Sequence, residues 1–297
     1  MTTAAVILTH GLTKFYGDRD VVKRLNLSIK PNSITAFLGR NGAGKSTTLK
    51  MLLGMVRPSS GEGTVLGKRI ADAEENRQMR QKVAYVAEAK PLYGFMTVEN
   101  TLRFASSFYS DWRADDQKKL LTDFELPLQA KVRTLSKGMR TKLALLLALA
   151  RRPELLILDE PSEGLDPVGI EYLLQTLVRL SAEGVTVFFS SHQIAEVERI
   201  ADHVCILEKG CLLVDASLDE LRQFYRRIDL VFPSEPPREE FCISGIERIR
   251  THGRQMSVIA SRNADAVVER ANDLNVISVE VAPLGLREIF LETVREN

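Results

Sequence analysis

The sequence predicts a layered α/β domain over residues 1–216 and a small α+β domain over residues 217–297. Strand-like and helix-like patterns alternate along the first part, as they do in layered α/β domains. The composition then changes, because all 14 lysines lie before Ala216 while the rest of the chain carries 11 arginines and 14 acids. This change places the domain boundary near Ala216.

Within the first part, three apolar runs rich in β-forming residues are typical of strands buried on both faces: SITAFL, LLILDEP and VTVFFSSH. Helical patterns occupy residues 45–53, 139–150 and 167–181. The segment HVCILEKGCLLVDAS predicts a hairpin, since Lys209-Gly210 separates two apolar runs. These elements predict a sheet of buried strands connected by helices.

The second part contains its own strand and helix patterns after a proline-rich stretch, PSEPP. A hairpin is predicted around ERIRTHGRQMSVIA, followed by a helix over residues 264–274 and a strand at VISVEVA. A last helix is predicted at the end of the chain because apolar residues recur there at helical spacing. These residues are Leu286, Ile289, Phe290 and Val294.

The overall composition argues against several kinds of site and partner. The formal net charge is only +1, so nothing indicates binding to nucleic acid. Three cysteines without paired spacing argue for reduced thiols in a cytoplasmic protein, and against a zinc site or disulfides. No secretory signal is visible, and the longest apolar run, LALLLALA, is far shorter than the roughly 20 residues that span a bilayer. A membrane process would therefore need another chain.

The segment GRNGAGKS, residues 39–46, follows a predicted strand and precedes a helix, as a phosphate-binding loop does. Its glycines allow successive backbone N–H groups to surround a phosphate. We expect Lys45 to reach the β- and γ-phosphates, the Ser46 hydroxyl to bind Mg²⁺, and Thr47 to contact the α-phosphate. The candidate nucleotide-binding residues here are Gly39, Asn41, Gly42, Gly44, Lys45, Ser46 and Thr47.

This loop alone fits kinases, GTPases and ATPases, although the absence of an Asn-Lys-x-Asp tetrad disfavours a GTPase. A carboxylate is expected at the end of a later buried strand, and LLILDE supplies two. Asp159 is placed to hold Mg²⁺, directly or through water. Glu160 is placed to polarise the attacking water as a general base.

Four further segments resemble motifs of the ATP-binding-cassette (ABC) family. LSKGM resembles its LSGGQ signature, with Ser136 and Gly138 in the matching positions and lysine and methionine as departures. EGLD resembles the D-loop and contains Asp166. His192 matches the switch histidine, and Tyr16 matches the aromatic residue that stacks on adenine. With the two motifs above, six segments follow in the order of this family.

The resemblance covers roughly residues 5–216 and implies a P-loop NTPase fold, with a mixed sheet core, an antiparallel N-terminal sheet and a helical subdomain over about residues 89–150. It implies that two chains enclose two MgATP molecules, so that Ser136, Gly138 and Asp166 complete the site of the partner. Since one chain carries both halves, a homodimer is the simplest assembly. Basic residues around the signature either attract the polyphosphate or form a solvated helix start.

The chain departs from the family pattern at Glu88, where the cassette pattern has glutamine. A carboxylate at this point is still able to contact Mg²⁺ or the attacking water, so Glu88 is a candidate catalytic and metal-binding residue alongside Glu160, His192, Ser46 and Asp159. Proteins that resemble bacterial exporters of drugs, polysaccharides and ions often combine this glutamate with a lysine in the signature. The combination favours that branch.

Six of the chain's aromatic residues lie between Lys90 and Trp112. In the family this region borders the groove that receives a helix of the membrane subunit. We expect most of these rings to form the core of the helical subdomain, and one or two, among them Tyr93 and Phe95, to line the groove.

The sequence thus favours the ATP-hydrolysing subunit of an exporter, on the cytoplasmic face of the membrane, with a separate membrane permease that binds the cargo. The alternative is a soluble cassette ATPase that remodels a macromolecular assembly. Only 91 residues separate Lys45 from Ser136, which leaves no room for the long coiled coil of chromosome-maintenance cassettes. A regulator without turnover is disfavoured by Glu160 and His192.

Overall fold

A computed structural model describes residues 4–294 of the chain. The protein forms two compact units, which divide between Asp215 and Ala216. No helix within the described residues is both long enough and apolar enough to cross a membrane.

The first unit begins with strands and ends with a hairpin. In chain order its elements are β1 (Ile7–Tyr16), β2 (Arg19–Leu25), β3 (Ser28–Ile29), β4 (Ile34–Gly39), α1 (Lys45–Leu52), β5 (Ser60–Val65), β6 (Lys68–Arg69), α2 (Ala73–Lys82), β7 (Val83–Val86), α3 (Val98–Ser106), α4 (Ala114–Asp123), α5 (Lys137–Leu149), β8 (Leu155–Asp159), α6 (Pro167–Ala182), β9 (Thr186–Ser191), α7 (Ile194–Ile200), β10 (His203–Glu208) and β11 (Cys211–Ser217).

Two sheets form the frame of this unit. The central sheet has the order β11-β10-β4-β9-β8-β7, and every residue of β4, β8 and β9 is buried. An antiparallel sheet of β2-β1-β5-β6, with β3 beside β1, packs over it through a core that includes Ile7, Val22, Phe37 and Phe188. Fully covered strands of this kind require continuous apolar sequences, which is why the runs were recognisable. The predicted mixed α/β architecture and the N-terminal antiparallel sheet are confirmed.

The pairs β10-β4, β4-β9, β9-β8 and β8-β7 are all parallel. Their carboxyl ends therefore meet at one edge of the sheet, where ligands bind in open α/β folds. The loops that leave β4, β7, β8 and β9 at this edge carry the phosphate-binding loop, Glu88, Glu160 with the EGLD segment, and His192.

Helices α3, α4 and α5 follow one another in the chain between β7 and β8, without an intervening strand. Thr97 and Ser136 begin α3 and α5 with side-chain caps, in which each hydroxyl accepts a hydrogen bond from the backbone N–H three residues later. A 3₁₀ turn, Val132–Thr134, precedes α5. α5 buries the apolar run that the sequence analysis found too short for a membrane span.

The second unit contains α8 (Leu218–Phe224), β12 (Arg226–Val231), β13 (Ile246–His252), β14 (Gln255–Ala260), α9 (Ala264–Asp273), β15 (Ser278–Pro283) and α10 (Leu286–Val294), with a 3₁₀ turn at Arg238–Phe241. Its antiparallel sheet has the order β13-β14-β12-β15. Residues of β12, β14 and α9 form its core, among them Ile228, Leu230, Val258 and Val267. The predicted hairpin, helix, strand and final helix are present, whereas α8 and β12 were not predicted.

Candidate active site

The phosphate-binding loop connects β4 to α1 and is built on left-handed glycines. Gly42 has φ 82° and Gly44 has φ 111°, conformations that other residues adopt only with strain. Gly44 begins α1 without any side-chain cap, so the first N–H groups of the helix remain open to an anion. The buried Lys45 ammonium donates a hydrogen bond to the Gly39 carbonyl at 2.7 Å.

Two glycines of this loop are required by close packing against neighbouring strands, in addition to phosphate binding. A Cβ on Gly39 would lie 2.5 Å from the backbone oxygen of Leu207 in β10. A Cβ on Gly44 would lie 2.6 Å from the backbone oxygen of Val21 in β2. Both distances are far shorter than normal contacts, so the close packing of the two strands on the loop excludes any side chain there.

A cleft of about 480 Å³ opens above the loop. It brings together nine of the candidate residues from four separate segments of the chain, along with three that were not predicted, Arg19, Val21 and Arg40. The predicted residues that line it are Tyr16, Asn41, Gly42, Gly44, Lys45, Ser46, Thr47, Glu88 and Glu160.

Two carboxylates lie at the carboxyl end of β8, and Ser190 of the neighbouring β9 links them. The Ser190 hydroxyl donates to Asp159 Oδ1 at 2.7 Å and accepts from the Glu160 backbone N–H at 3.0 Å. All three residues are buried. The serine therefore fixes both the Asp159 carboxylate and the backbone of Glu160.

The Glu160 side chain lies between two basic groups. Its Oε2 is 2.8 Å from His192 Nδ1, and its Oε1 forms an ion pair with Lys45 Nζ at 3.2 Å. Oε1 has no further hydrogen-bond partner among the residues described. The Lys90 ammonium is 3.4 Å from the Glu160 carbonyl oxygen. The backbone of Glu160 has φ 48°, a left-handed conformation that costs a non-glycine residue about 1–2 kcal/mol.

This arrangement suits hydrolysis of a phosphoanhydride. A buried carboxylate with one accepting oxygen not engaged in a hydrogen bond is able to take a proton from water. The ammonium of Lys45 is placed to bind a phosphate. A bound phosphate would compete with the Glu160 carboxylate for this ammonium. The hydroxyl of Ser46 and the carboxylates of Asp159 and Glu88 are the hard oxygen donors that Mg²⁺ prefers, so the residues present fit this ion.

The signature segment and the D-loop pack directly on each other. A Cβ on Gly138 would lie 2.8 Å from the Gly164 oxygen, and Lys137 Nζ lies 2.5 Å from Glu163 Oε1. The Ser136 hydroxyl caps α5, and Asp166 caps α6 by accepting from the Gly169 N–H at 2.6 Å.

Several predicted residues lie outside the lining of the cleft. Ser136, Gly138 and Asp166 are at the helix starts just described, and Gly39 is buried beneath the loop. Asp159 and His192 lie just outside this lining, where Asp159 is hydrogen-bonded to Ser190 and His192 to Glu160.

Three residues next to the site were not predicted from the sequence: Ser190, Lys90 and Glu196. Glu196, in the first turn of α7, is buried, and burial raises the pKa of its carboxyl above the usual range. Burial likewise lowers the pKa of the Lys90 ammonium. The only available signal for Ser190 was its position two residues before His192, at the end of an apolar strand. Lys90 and Glu196 carried no signal, because their burial depends on contacts distant in sequence.

The prediction that most aromatic rings between Lys90 and Trp112 are core residues was wrong. Phe95 is 70% exposed and Tyr93 56% exposed, and Phe104 and Phe108 are also exposed. The four rings contact one another, with centroids 5.0–5.9 Å apart. Since α3 is only nine residues long, it buries one narrow face through Val98, Thr101 and Leu102 and leaves Phe104 outside, while the other three rings lie in the segments on either side of it.

An open groove of about 630 Å³ with mainly apolar walls lies next to this segment. Tyr109 lines it but Tyr93 and Phe95 do not, so the prediction that these two rings line the groove was wrong. Leu92 and Leu147 also line the groove, as does Arg151, whose guanidinium stacks 3.5 Å from the Tyr109 ring centroid. Its apolar walls and open shape suit a helix that inserts apolar side chains.

Comparisons with known proteins agree with this geometry. A family model described as ABC transporter matches residues 22–163. The bacitracin transport ATP-binding protein BcrA of Bacillus licheniformis is 35% identical over 227 residues, which cover 75% of this chain and 74% of that protein. The uncharacterized ABC transporter ATP-binding protein YcbN of Bacillus subtilis (strain 168) is 30% identical over 304 residues, which cover 98% of both chains. The solved structure of an ATP-binding subunit of an ABC transporter has a TM-score of 0.67 at 32% identity, and covers 73% of this chain and 92% of that one.

Proposed function

Because the chain belongs to the ABC transporter family of ATP-binding proteins, we propose that it hydrolyses MgATP as one half of a dimer and drives a separate membrane permease that exports its cargo. The proposal assigns residues 1–216 to the ATPase and residues 217–297 to an accessory domain. The observation that carries it is the position of Glu160 between Lys45 and His192, at the edge of the phosphate loop.

In the proposed reaction, Glu160 accepts a proton from water as the water oxygen bonds to the γ-phosphorus. The bond between that phosphorus and the bridging oxygen breaks, and ADP and inorganic phosphate result. Lys45 and the N-terminus of α1 hold the phosphate charge, while His192 orients the base. Ser46 and Asp159, with Glu88 nearby, would hold Mg²⁺, which would neutralise part of the phosphate charge.

The residues outside the cleft support the dimer. Ser136 and Gly138 open α5 with the positive end of its dipole exposed, which suits the γ-phosphate of a nucleotide on another copy. Asp166 belongs to the D-loop packed on that segment and would accompany it across the interface. Tyr16, at the rim of the cleft and half exposed, is placed to stack on adenine.

The apolar groove and the four exposed rings support a permease partner. Exposed aromatic residues that contact one another are typical of protein interfaces. A helix of the permease in this groove would place the ATPase on the cytoplasmic face of the membrane, with no contact between this chain and the cargo. Glu88, Lys137 and the similarity to a bacitracin transport protein support an exporter.

The proposal is tested by a pull-down of the tagged chain from detergent-solubilised cells, with Glu160→Gln and ATP present to hold the dimer closed. Recovery of one multi-spanning membrane protein in a fixed ratio supports the transporter and identifies the chain that selects the cargo. Recovery of only soluble assemblies would instead indicate the remodelling ATPase. Wild-type protein without nucleotide is the control for contacts that do not depend on ATP.

A further inference from the structure

Three side chains of the types that bind metal ions lie close together on the β10–β11 hairpin. None of them is among the residues assigned to ATP binding. His203 Nε2 lies 2.6 Å from Asp215 Oδ1, and the Cys205 thiol donates to the same oxygen at 3.4 Å. All three donor atoms lie within 4.8 Å of one another. The His203 imidazole and the Cys205 thiol therefore both contact the same oxygen of the Asp215 carboxylate.

The fold explains why these residues converge. His203 and Cys205 are two apart on β10, so their side chains leave the same face of the strand, and Asp215 comes from the adjacent β11. Cys205 is fully buried in the core between the two sheets, whereas His203 and Asp215 are partly open to solvent. The cluster thus has a rigid, buried sulfur and an accessible rim through which an ion enters.

The cysteine spacing argues against a zinc site built from paired cysteines, but this cluster uses a single one. We propose that His203, Cys205 and Asp215 form a binding site for one divalent ion of the zinc type. Imidazole nitrogen, thiolate sulfur and carboxylate oxygen are the three protein ligands that Zn²⁺ takes, and three of them leave a fourth position for water. Mg²⁺ and Ca²⁺ are disfavoured because they select oxygen ligands.

Two of the three ligand separations come close to those around such an ion, and the third, between His203 and Cys205, is within 4.8 Å. Ligand atoms about 2.0–2.3 Å from a tetrahedral ion lie roughly 3.4 Å from one another. The separation of the Cys205 sulfur from the Asp215 oxygen already has this value. The His203 nitrogen and the Asp215 oxygen must move apart by somewhat under ~1 Å, which rotation of two partly exposed side chains allows.

Without an ion, the Cys205 thiol keeps its proton and donates it in a hydrogen bond to Asp215. An entering ion replaces this proton, which leaves to solvent, and bonds to the resulting thiolate. The ion would then hold β10 and β11 together at the end opposite to the Lys209-Gly210 turn.

Cobalt binding to the full-length chain tests the proposal, because a thiolate bound to Co²⁺ gives a charge-transfer absorption that oxygen ligands do not. The background is Cys211→Ser with Cys242→Ser, which leaves Cys205 as the only thiol. A phosphine reductant avoids added thiols. We expect one Co²⁺ per chain with the thiolate band, and displacement of that band by Zn²⁺. Cobalt at the nucleotide site would show no such band, since Ser46 and Asp159 offer only oxygen.

The variants decide the ligand set. Cys205→Ala should abolish the band, and His203→Gln and Asp215→Asn should each weaken binding at least about tenfold. His203 and Asp215 are partly exposed, so these two variants test the site even where the cavity left by Cys205→Ala prevents folding. Absence of the thiolate band in the background protein, or equal cobalt affinity in His203→Gln, would show that the cluster is a hydrogen-bonded pair and not a metal site. Neither result depends on ATP hydrolysis.

Discussion

At the scale of single residues, Glu160 is fixed through its backbone and its side chain together. Ser190 and Lys90 bond its N–H and carbonyl, and His192 and Lys45 hold its two carboxylate oxygens. These contacts offset the unfavourable left-handed conformation of its backbone. The residue is therefore oriented before any ligand arrives, which is what a general base requires.

We predict that Glu160→Gln lowers ATP turnover by about 10²–10⁴-fold, since the amide keeps the shape of the side chain but does not accept a proton from water. Phosphate release under single-turnover conditions measures the effect. Glu154→Gln is the matched control, because Glu154 immediately precedes the same strand at its other end and its exposed side chain forms a surface ion pair with Lys82. Turnover of Glu160→Gln at the wild-type rate would remove Glu160 from the mechanism.

Glu196 yields a prediction about stability and pH. Burial raises the pKa of its carboxyl in the folded protein above the unfolded value of 4.5. The stabilising contribution of the protonated group is therefore complete below pH 4.5 and is lost as the pH rises through the higher folded-state pKa. Glu196→Gln cannot ionise, so its free energy of unfolding relative to wild type should increase with pH.

Urea unfolding at about pH 5 and about pH 8 measures this difference. Glu183→Gln, at an exposed position, controls for the change in net charge. A Glu196→Gln variant whose stability relative to wild type is the same at both pH values would show that the carboxyl stays ionised in the fold.

At the scale of elements, the helices and strands that could be predicted are those whose own residues carry a clear pattern. β4, β8 and β9 are continuous apolar runs, and α1 starts at a glycine-lysine pair, so these elements and the phosphate loop could be placed within one or two residues. The hairpin at Lys209-Gly210 was also predicted, from a turn pair between two apolar runs, and both turn residues have the positive φ that a tight hairpin requires.

Other elements depend on partners distant in sequence. β12 pairs with β14 and β15, which begin 24 and 47 residues after its own end, and its sequence, RRIDLV, has charged residues at half its positions. The exposed rings in α3 and beside it were predicted to be core because aromatic residues are usually buried, and the sequence does not show which face of a short helix is covered.

α3 and the segment before it carry a prediction about the permease. Tyr93→Ala with Phe95→Ala should leave stability and basal ATP hydrolysis almost unchanged, since both rings are exposed. Stimulation of hydrolysis by the permease should fall severalfold, because the permease segment that docks on this surface would lose its contacts with the two exposed rings. Hydrolysis in proteoliposomes measures it, with Val178→Ala as an exposed control on α6. Full stimulation in the double variant would separate these rings from the permease contact.

At the scale of the whole molecule, one chain carries the phosphate loop and the signature segment, but the signature does not reach its own cleft. A site completed by a second copy makes a definite prediction. Lys45→Ala destroys one half of the site and Ser136→Arg the other, so each variant alone should be inactive. A mixed dimer retains one intact site that combines the unmodified halves.

Equal co-expression of the two variants should therefore restore about a quarter of wild-type hydrolysis, because half of the dimers are mixed and each has one working site. A second lysine-deficient variant, Lys45→Met, mixed with Lys45→Ala provides the control, since both lack the same half. If the first mixture remained as inactive as the control, each chain would have to complete its own site.

The close approach of Gly39 to the backbone of Leu207 affects how this position is expected to evolve. The first glycine of the motif is required by the backbone of β10, whereas Lys45 is required by the phosphate. In a lineage that gave up nucleotide chemistry while keeping this fold, the two positions would be released from selection differently. Lysine would drift and glycine would persist, so a surviving Gly39 alone is a record of ancestry and of sheet packing, and not of present catalysis.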